Sequence, residues 1–412
     1  MSESEGVKLS LRVVMNKEEN KVLFAEVDNS FADVLLSFLT LPLGTIVRLL
    51  LKHKAEGAPI VGSLSTLYQG LANLDSSNFW TSKLMLLNPI NLFEPQCRKL
   101  KLNIDDSEPI KGVEKCFCGG LLDTEVTLET TDSNDAGVFA KDKASFLISD
   151  DLQIVPNLAG SGIKILNDLE IRDIDGLKER TVVVGFKEIL DLFEGSLVSR
   201  TPLTDLVLGR SQVISAAVKP DLVVSLGWIT EEASSKRVIV KAFIQKATNR
   251  VILVEAEDDF VNFLFSPLTL PLVKVAAYFL KNKMFPLTEN DQPALYVNRE
   301  HPTQKCYLTN SASEEHSVTC RPVLFKDMNE KESGVKVPTF MVTDDLVVTP
   351  SSVMSGFSIL TGLKIPLSDV EEQAFEIGSE EALSIIKACL TSTSALTNGL
   401  KPFMKGQLKQ EK

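Results

Sequence analysis

Six cysteines and three histidines are the side chains of this 412-residue sequence best suited to holding a metal ion. Zinc takes four ligands, usually thiolate or imidazole, in a tetrahedron. Cys97 and then Cys116-Phe117-Cys118 supply three thiols in the first half, with no histidine beside them. His301, Cys306, His316 and Cys320 supply four groups in the second half, at spacings that match no standard finger. Two readings follow: a small structural zinc site, or buried thiols and surface imidazoles. A structural site filled by four protein ligands leaves no open position, so neither cluster supports metal catalysis as written.

Paired carboxylates are the next candidates. Asp150-Asp151 and Asp344-Asp345 have the composition of a divalent-ion site or of an acid/base pair. Neighbours along a strand point to opposite faces, however, and Asp is a strong turn former through its own hydrogen bonds to the backbone. The expectation is a turn or cap. Gly160-Ser161-Gly162 hints at a phosphate loop, but a dinucleotide fingerprint needs a third glycine at a strand-to-helix turn, and none follows. Ser161 and Ser355 read better as residues at the start of helices. The sequence contains no Walker A lysine, nucleophile elbow or His-Glu-x-x-His pattern.

These candidates can be tested against one another because the sequence repeats itself. Leu39-Thr40-Leu41-Pro42-Leu43 returns as Leu268-Thr269-Leu270-Pro271-Leu272. Ahead of it Lys17, Asn20, Val22, Glu26, Phe31 and Leu35 keep register with Lys246, Asn249, Val251, Glu255, Phe260 and Leu264. A second block, Phe146, Asp150, Asp151, Leu152, Pro156, Ser161 and Gly162, recurs as Phe340, Asp344, Asp345, Leu346, Pro350, Ser355 and Gly356. A third, Gly185 to Leu203, resembles Gly378 to Leu396. Chemistry shared by both copies must fall on matching positions. His53 stands opposite Asn282, and neither His301 nor His316 has a histidine twin, so histidine-based acid/base catalysis in both copies is excluded.

The repeats define the organisation. Residues 1–210 form a first repeat domain with an extra segment at about 54–90, residues 211–235 a linker, and residues 236–412 a second, shorter domain. Each copy is long enough to bury its own core. Strand-like stretches at Lys8 to Met15 and Lys21 to Val27, separated by a turn containing Asn20, predict a hairpin. Phe31, Val34, Leu35 and Phe38 then follow helical spacing, with Asp28, Asn29 and Ser30 as N-caps. Pro42 fits the first turn of a second helix, to about Lys52, which Thr40 would cap; Pro267 should end the corresponding first helix of the second copy a little earlier. Ser145 to Pro156 reads as strand, acidic turn and strand, and Thr339 to Pro350 likewise. The fold class is α+β, with β-hairpins and short helices in each copy.

Phe31 to Leu51 and Phe260 to Leu280 have the ~20-residue length of a bilayer crossing. Caps and the prolines at 42 and 271 divide them, so the expectation is pairs of short core helices rather than a membrane association. In the extra segment Leu64, Leu67, Tyr68 and Leu71 also follow helical spacing, ahead of Phe79 and Trp80. That helix either patches the core of the first copy or offers an aromatic recognition surface. The 55 acidic against 43 basic residues argue against a broad nucleic-acid or anionic-membrane surface. The amino terminus lacks a basic n-region and apolar run, and the free cysteines suit a reducing compartment, so a cytoplasmic or nucleocytoplasmic location is expected.

The opening hairpin, the Leu-Thr-Leu-Pro-Leu block, Lys99-Leu100-Lys101-Leu102-Asn103-Ile104-Asp105-Asp106, the Asp-Asp-Leu segment and Arg200-Thr201-Pro202-Leu203-Thr204-Asp205-Leu206 resemble the plant-specific family catalogued as domain of unknown function 674. The resemblance spans nearly the whole chain. It implies a plant source and an intracellular protein, brings no activity or catalytic residues, and implies further cysteine pairs resembling a zinc knuckle in this region. The sequence therefore points first to a non-catalytic interaction or scaffold protein with an unidentified protein partner. The alternatives are a small-ligand protein or enzyme with a pocket between the repeats, and a structural zinc protein.

Overall fold

The structure, a computed structural model, describes residues 6–18, 20–53, 61–78, 83–89, 91, 93–106, 138–140, 145–172, 176–210, 237–281, 295–301, 305–309, 321–323 and 339–404. The fold is α+β. Each repeat opens on the expected hairpin, β1 (Leu9–Asn16) with β2 (Lys21–Asp28) in the first and β6 (Val238–Gln245) with β7 (Arg250–Ala256) in the second. Asn20 and Asn249 turn them, at φ of 50° and 53°. Asparagine tolerates that left-handed backbone better than most side chains. The register slips at the same place in both hairpins, between Val14 and Met15 and between Phe243 and Ile244.

The helices that follow are α1 (Asn29–Phe38) and α2 (Leu43–His53) in the first repeat, and α9 (Asp258–Phe265) and α10 (Leu272–Lys281) in the second. Asp28 caps α1 by accepting the Phe31 N–H at 3.0 Å. A 3-10 turn at Ser266–Thr269 follows α9, so the twin helix does end earlier, at the proline-containing stretch. The first repeat then adds α3 (Gly62–Asn73), α4 (Leu84–Leu87) and α5 (Glu94–Cys97).

The second hairpin of each repeat is β3 (Ser145–Ser149) with β4 (Ile154–Pro156), and β11 (Phe340–Thr343) with β12 (Val348–Pro350). Next come α6 (Ala159–Asp168), β5 (Leu177–Val184), α7 (Phe186–Val198) and α8 (Pro202–Leu208), matched by α11 (Val353–Leu363), β13 (Val370–Ile377), α12 (Ser379–Thr391) and α13 (Ala395–Leu400). Strands order as β4-β3-β2-β1-β5 and β12-β11-β7-β6-β13, two five-stranded antiparallel sheets of one topology. β8 (Leu295–His301), β9 (Lys305–Thr309) and β10 (Arg321–Val323) form a separate three-stranded sheet.

Alternation along β1 sends Leu9, Leu11, Val13 and Met15 inward, while Arg12 points out and pairs with Glu26 on β2. The inward faces of both sheets meet the helices. Phe31 and its twin Phe260 are wholly buried, and Phe38 meets Phe193 of α7 edge to face, with ring centroids 4.8 Å apart.

Two expectations change at the centre of the molecule. Thr40 does not cap α2; its hydroxyl turns back to the Ser37 carbonyl at 2.7 Å, and Thr269 does the same to Ser266 at 2.9 Å. The backbone there is committed elsewhere, because the two Leu-Thr-Leu-Pro-Leu blocks pair with each other. Pro42 bridges Pro271 in antiparallel fashion, the Leu43 N–H donates to the Leu270 carbonyl at 3.0 Å, and the Leu272 N–H donates to the Leu41 carbonyl at 2.9 Å. Each bond is the mirror of the other, the signature of a local two-fold axis.

The repeats also do not keep separate interiors. One continuous cluster of buried hydrophobic side chains runs from Leu9 in the first sheet through Leu41, Leu43, Leu268 and Leu270 to Leu400 in the second repeat. Gly44 marks how close the halves come: a Cβ there would lie 2.7 Å from the Leu86 carbonyl and 3.0 Å from the Leu268 carbonyl. Both contacts are backbone, so they cannot swing aside. Gly44→Val is therefore expected to lower stability by about 1–3 kcal/mol through overpacking. Denaturant unfolding of the full chain should show the loss, and an unchanged midpoint would mean that the junction has room.

Candidate functional site

The paired aspartates serve the duplicated architecture in both repeats. The Asp150 carboxylate accepts the Thr204 N–H at 2.7 Å and the Thr204 hydroxyl at 2.9 Å, holding the first turn of α8 against the β3–β4 turn. The Thr204 hydroxyl in turn accepts the Val22 N–H of β2 at 2.8 Å. In the second repeat Asp344 accepts the Thr397 N–H at 2.8 Å, and the Thr397 hydroxyl accepts the Val251 N–H at 2.9 Å. Arg250 closes the second oxygen of Asp344 at 3.0 Å. Burial pushes Asp150 above the usual aspartate range, against the opposing pull of the Thr204 hydrogen bonds.

Asp151 looks the other way and is exposed, binding Ser149 and the Gln153 amide. Leu152 and Leu346 complete the two turns at φ of 65° and 66°. Asp151 binds donors of its own turn, while Asp150 and Asp344 bind the first turns of α8 and α13, the turn and cap roles expected of the pairs. Gly160-Ser161-Gly162 lies within the first turns of α6 rather than in a loop, and Ser355 takes the matching place in α11. Ser161 and Ser355 are residues of the first turn and not the N-caps, which are Leu158 and Ser352.

Of the cysteine and histidine candidates, Cys97 is buried at the end of α5, within hydrogen-bond reach of the Thr40 hydroxyl at 3.6 Å and the Asn91 amide at 3.8 Å. Burial raises its thiol to about 11, so it stays protonated near neutrality. Asn91 also donates to Asp105 at 3.1 Å. Cys116, Cys118, His316 and Cys320 lie outside the described residues. His301 ends β8 and Cys306 lies on β9 opposite Arg299, so backbone pairing brings these two strands together. Among the described residues, no group of three or more His, Cys, Asp or Glu side chains is arranged to hold a metal ion.

The structure adds features that residue spacing does not reveal. Asp33, a charge within the apolar run of α1, accepts three consecutive backbone N–H groups from Val138, Phe139 and Ala140 at 3.0, 2.9 and 2.7 Å. It ties residues 138–140 to the first repeat. Among the described residues, no helix is long and apolar enough to cross a membrane. The extra helix α3 belongs to the first repeat in sequence but packs on the second. Ser63 donates through its N–H and hydroxyl to the Ser392 carbonyl at 2.8 and 2.7 Å, and Thr66 bonds the Asp345 carbonyl.

Among the described residues, several of the exposed large apolar side chains lie on or beside α6 and α11. These twin helices rest on the outer faces of the two sheets, Gly162 facing Leu147 and Gly356 facing Met341. Among their exposed residues are large apolar ones: Ile163 at 63 % with the caps Leu158 and Leu169 in the first repeat, and Val353, Met354 at 73 %, Phe357 at 51 % and Leu363 in the second. Ile163 and Leu169 hold the positions of Phe357 and Leu363. No residue of α11 is fully buried. The periodicity of Ile163, Leu166 and Leu169 signals a helix, but only the structure shows that part of the stripe faces outward.

A duplicated α+β architecture, with structural carboxylates and paired apolar helices, is the class that the fold and site define. The chain belongs to the family described as "Protein of unknown function (DUF674)", whose model matches residues 5–114, 112–290 and 294–411. Neither the curated proteins nor the solved structures hold a match to it.

If Asp150 is a structural post, Asp150→Ala strips a cap and leaves the Thr204 donors without their acceptor, at a cost of about 2–3 kcal/mol. Asp151→Ala, at an exposed position, should cost under about 1 kcal/mol. Urea titrations of the two variants give the comparison. A divalent-ion site would instead show itself as an ion-dependent rise in the midpoint of the unsubstituted chain that Asp150→Ala removes.

Proposed function

We propose that this protein is a non-catalytic interaction protein that presents two related apolar helix faces, one on each repeat, to a protein partner. The observation that carries the reading is the pair of matched exposed apolar positions, Ile163 with Phe357 and Leu169 with Leu363, on or beside α6 and α11. Large exposed apolar side chains grouped on one element are characteristic of surfaces that other molecules cover. Two such faces on one chain also raise the effective concentration of the second contact once the first has formed.

The duplicated polar groups support the same reading. Asp150, Asp344 and their threonine partners hold hairpins to helices, and Cys97 is a protonated, buried thiol rather than a nucleophile. Cys97 and Cys389 are free thiols, which suits work in a reducing, intracellular compartment.

Ile163→Asp and Phe357→Asp, singly and together, test the reading in the full-length chain. Ile163 is mostly and Phe357 about half in water, so thermal midpoints should fall by no more than a few degrees from the parent. Affinity capture with mass spectrometry should then show a partner set retained in part by each single variant and lost from the double variant. Equal recovery from all four proteins would contradict the proposal.

A further inference from the structure

The two-fold relation between the repeats permits an internal comparison that the helix faces of α6 and α11 do not enter. On the second repeat, α3 fills a groove between α12 and the β11–β12 turn. A Cβ on Gly62 would meet the Cys389 and Ser392 carbonyls at 2.5 and 2.9 Å, and one on Gly70 would lie 3.5 Å from the Val348 nitrogen. Leu64, Leu67 and Leu71 of α3 are buried. Under this cover Leu346, Val348 and Cys389 are also buried.

The first repeat has the same groove walls. By the register of the repeats, Leu152, Ile154, Ser196 and Ser199 stand where the second repeat has Leu346, Val348, Cys389 and Ser392. Leu152 even shares the left-handed backbone of Leu346. Yet Leu152, Ile154 and Ser196 are only half-buried, and Gln153 and Asp151 are exposed. One residue type in one backbone conformation is buried on one side of the axis and partly open on the other, and among the described residues only the buried side has a helix such as α3 beside it. Among the described residues, no helix of the second repeat takes the place that α3 takes: α10 ends at Lys281 and the next described element is β8 from Leu295.

We infer that the α7–β4 groove of the first repeat is a docking site for a partner-protein helix that copies α3. Its occupant is a three-turn helix with a glycine or other small residue at its entry and a hydroxyl residue in its first turn. It carries leucines at the spacing of Leu64, Leu67 and Leu71. The hydroxyl and first-turn N–H groups would address the Ser199 and Asp151 carbonyls as Ser63 and Thr66 address Ser392 and Asp345. The leucines would cover Leu152 and Ile154. This is recognition of an amphipathic helix in a groove, with its template seated on the other half of the same molecule.

The probe is a fluorescent peptide spanning residues 61–74, titrated into the full-length chain and followed by anisotropy. Saturable one-to-one binding is expected in the micromolar range, at or below about 100 µM. Gln153→Trp, at an exposed rim position, should weaken binding about tenfold or more with the thermal midpoint unchanged, and Ser196→Arg, on the half-buried groove wall, should weaken it as much while the variant still unfolds in one cooperative step. A peptide carrying Leu67→Asp should not bind. Phe357→Asp should leave the titration unchanged, which separates this site from the α6 and α11 faces. The inference is overturned if binding does not saturate by about 1 mM or survives both groove variants. It is equally overturned if hydroxyl-radical footprinting of the free chain finds Leu152 and Ile154 protected as fully as Leu346 and Val348, because another part of the chain would then cover the groove.

Discussion

Two prolines facing each other across an antiparallel pair set the geometry on which both repeats depend. Pro42 and Pro271 have no N–H to give, so the pairing is carried by the amides just beyond them, Leu43 to Leu270 and Leu272 to Leu41. Each proline sits immediately before a helix, so the contact that joins the repeats also fixes where α2 and α10 begin. A net hydrogen bond contributes about 1 kcal/mol, whereas burying a leucine contributes about 1.5–3 kcal/mol. Leu41, Leu43, Leu268 and Leu270 are all buried at the junction, so apolar packing supplies most of the stability and the paired amides supply the register.

Once the joint is set, the polar residues take roles that their types alone do not announce. Asp150 and Asp344 look like acid/base or metal groups, but each is bonded to the first turn of a helix that returns to the opening hairpin. The threonine between them passes the interaction to β2 or β7. This arrangement satisfies buried backbone donors that water cannot reach. Its repetition on both sides of the axis follows from a need that both sheets share, namely an anchored second hairpin. Exposed apolar side chains among the described residues, such as Ile163 on α6 and Phe357 on α11, take no part in these contacts.

Much of this was legible in the sequence because it is local. The hairpins follow from alternation and Asn20, α1 from Phe31, Val34, Leu35 and Phe38, and the acidic turns from the aspartates themselves. Thr40 was misread as a cap because its environment is decided by a segment more than half the chain away, where Leu270 takes up the backbone that a local cap would have served. The crossing of α3 to the second repeat was illegible for the same reason: the spacing of Leu64, Leu67 and Leu71 says that a helix has an apolar face, not which surface receives it. Repeats of adequate length suggested two separate interiors, and that expectation failed because the most strongly conserved element between the copies, Leu-Thr-Leu-Pro-Leu, is where they meet. The exposure of Ile163 and Phe357 was hidden in turn because apolar spacing marks a helix without saying which of its residues meet the sheet.

The claim that the two repeats form one structural unit about the proline pair is tested most directly by native-state amide hydrogen exchange on the full chain. The slowest amides of β1 and β2 and those of β6 and β7 should open with the same free energy, equal to that of global unfolding, and should shift together when the junction is weakened. Exchange in which one sheet opens well before the other, each with its own denaturant dependence, would show two independent domains and contradict the account.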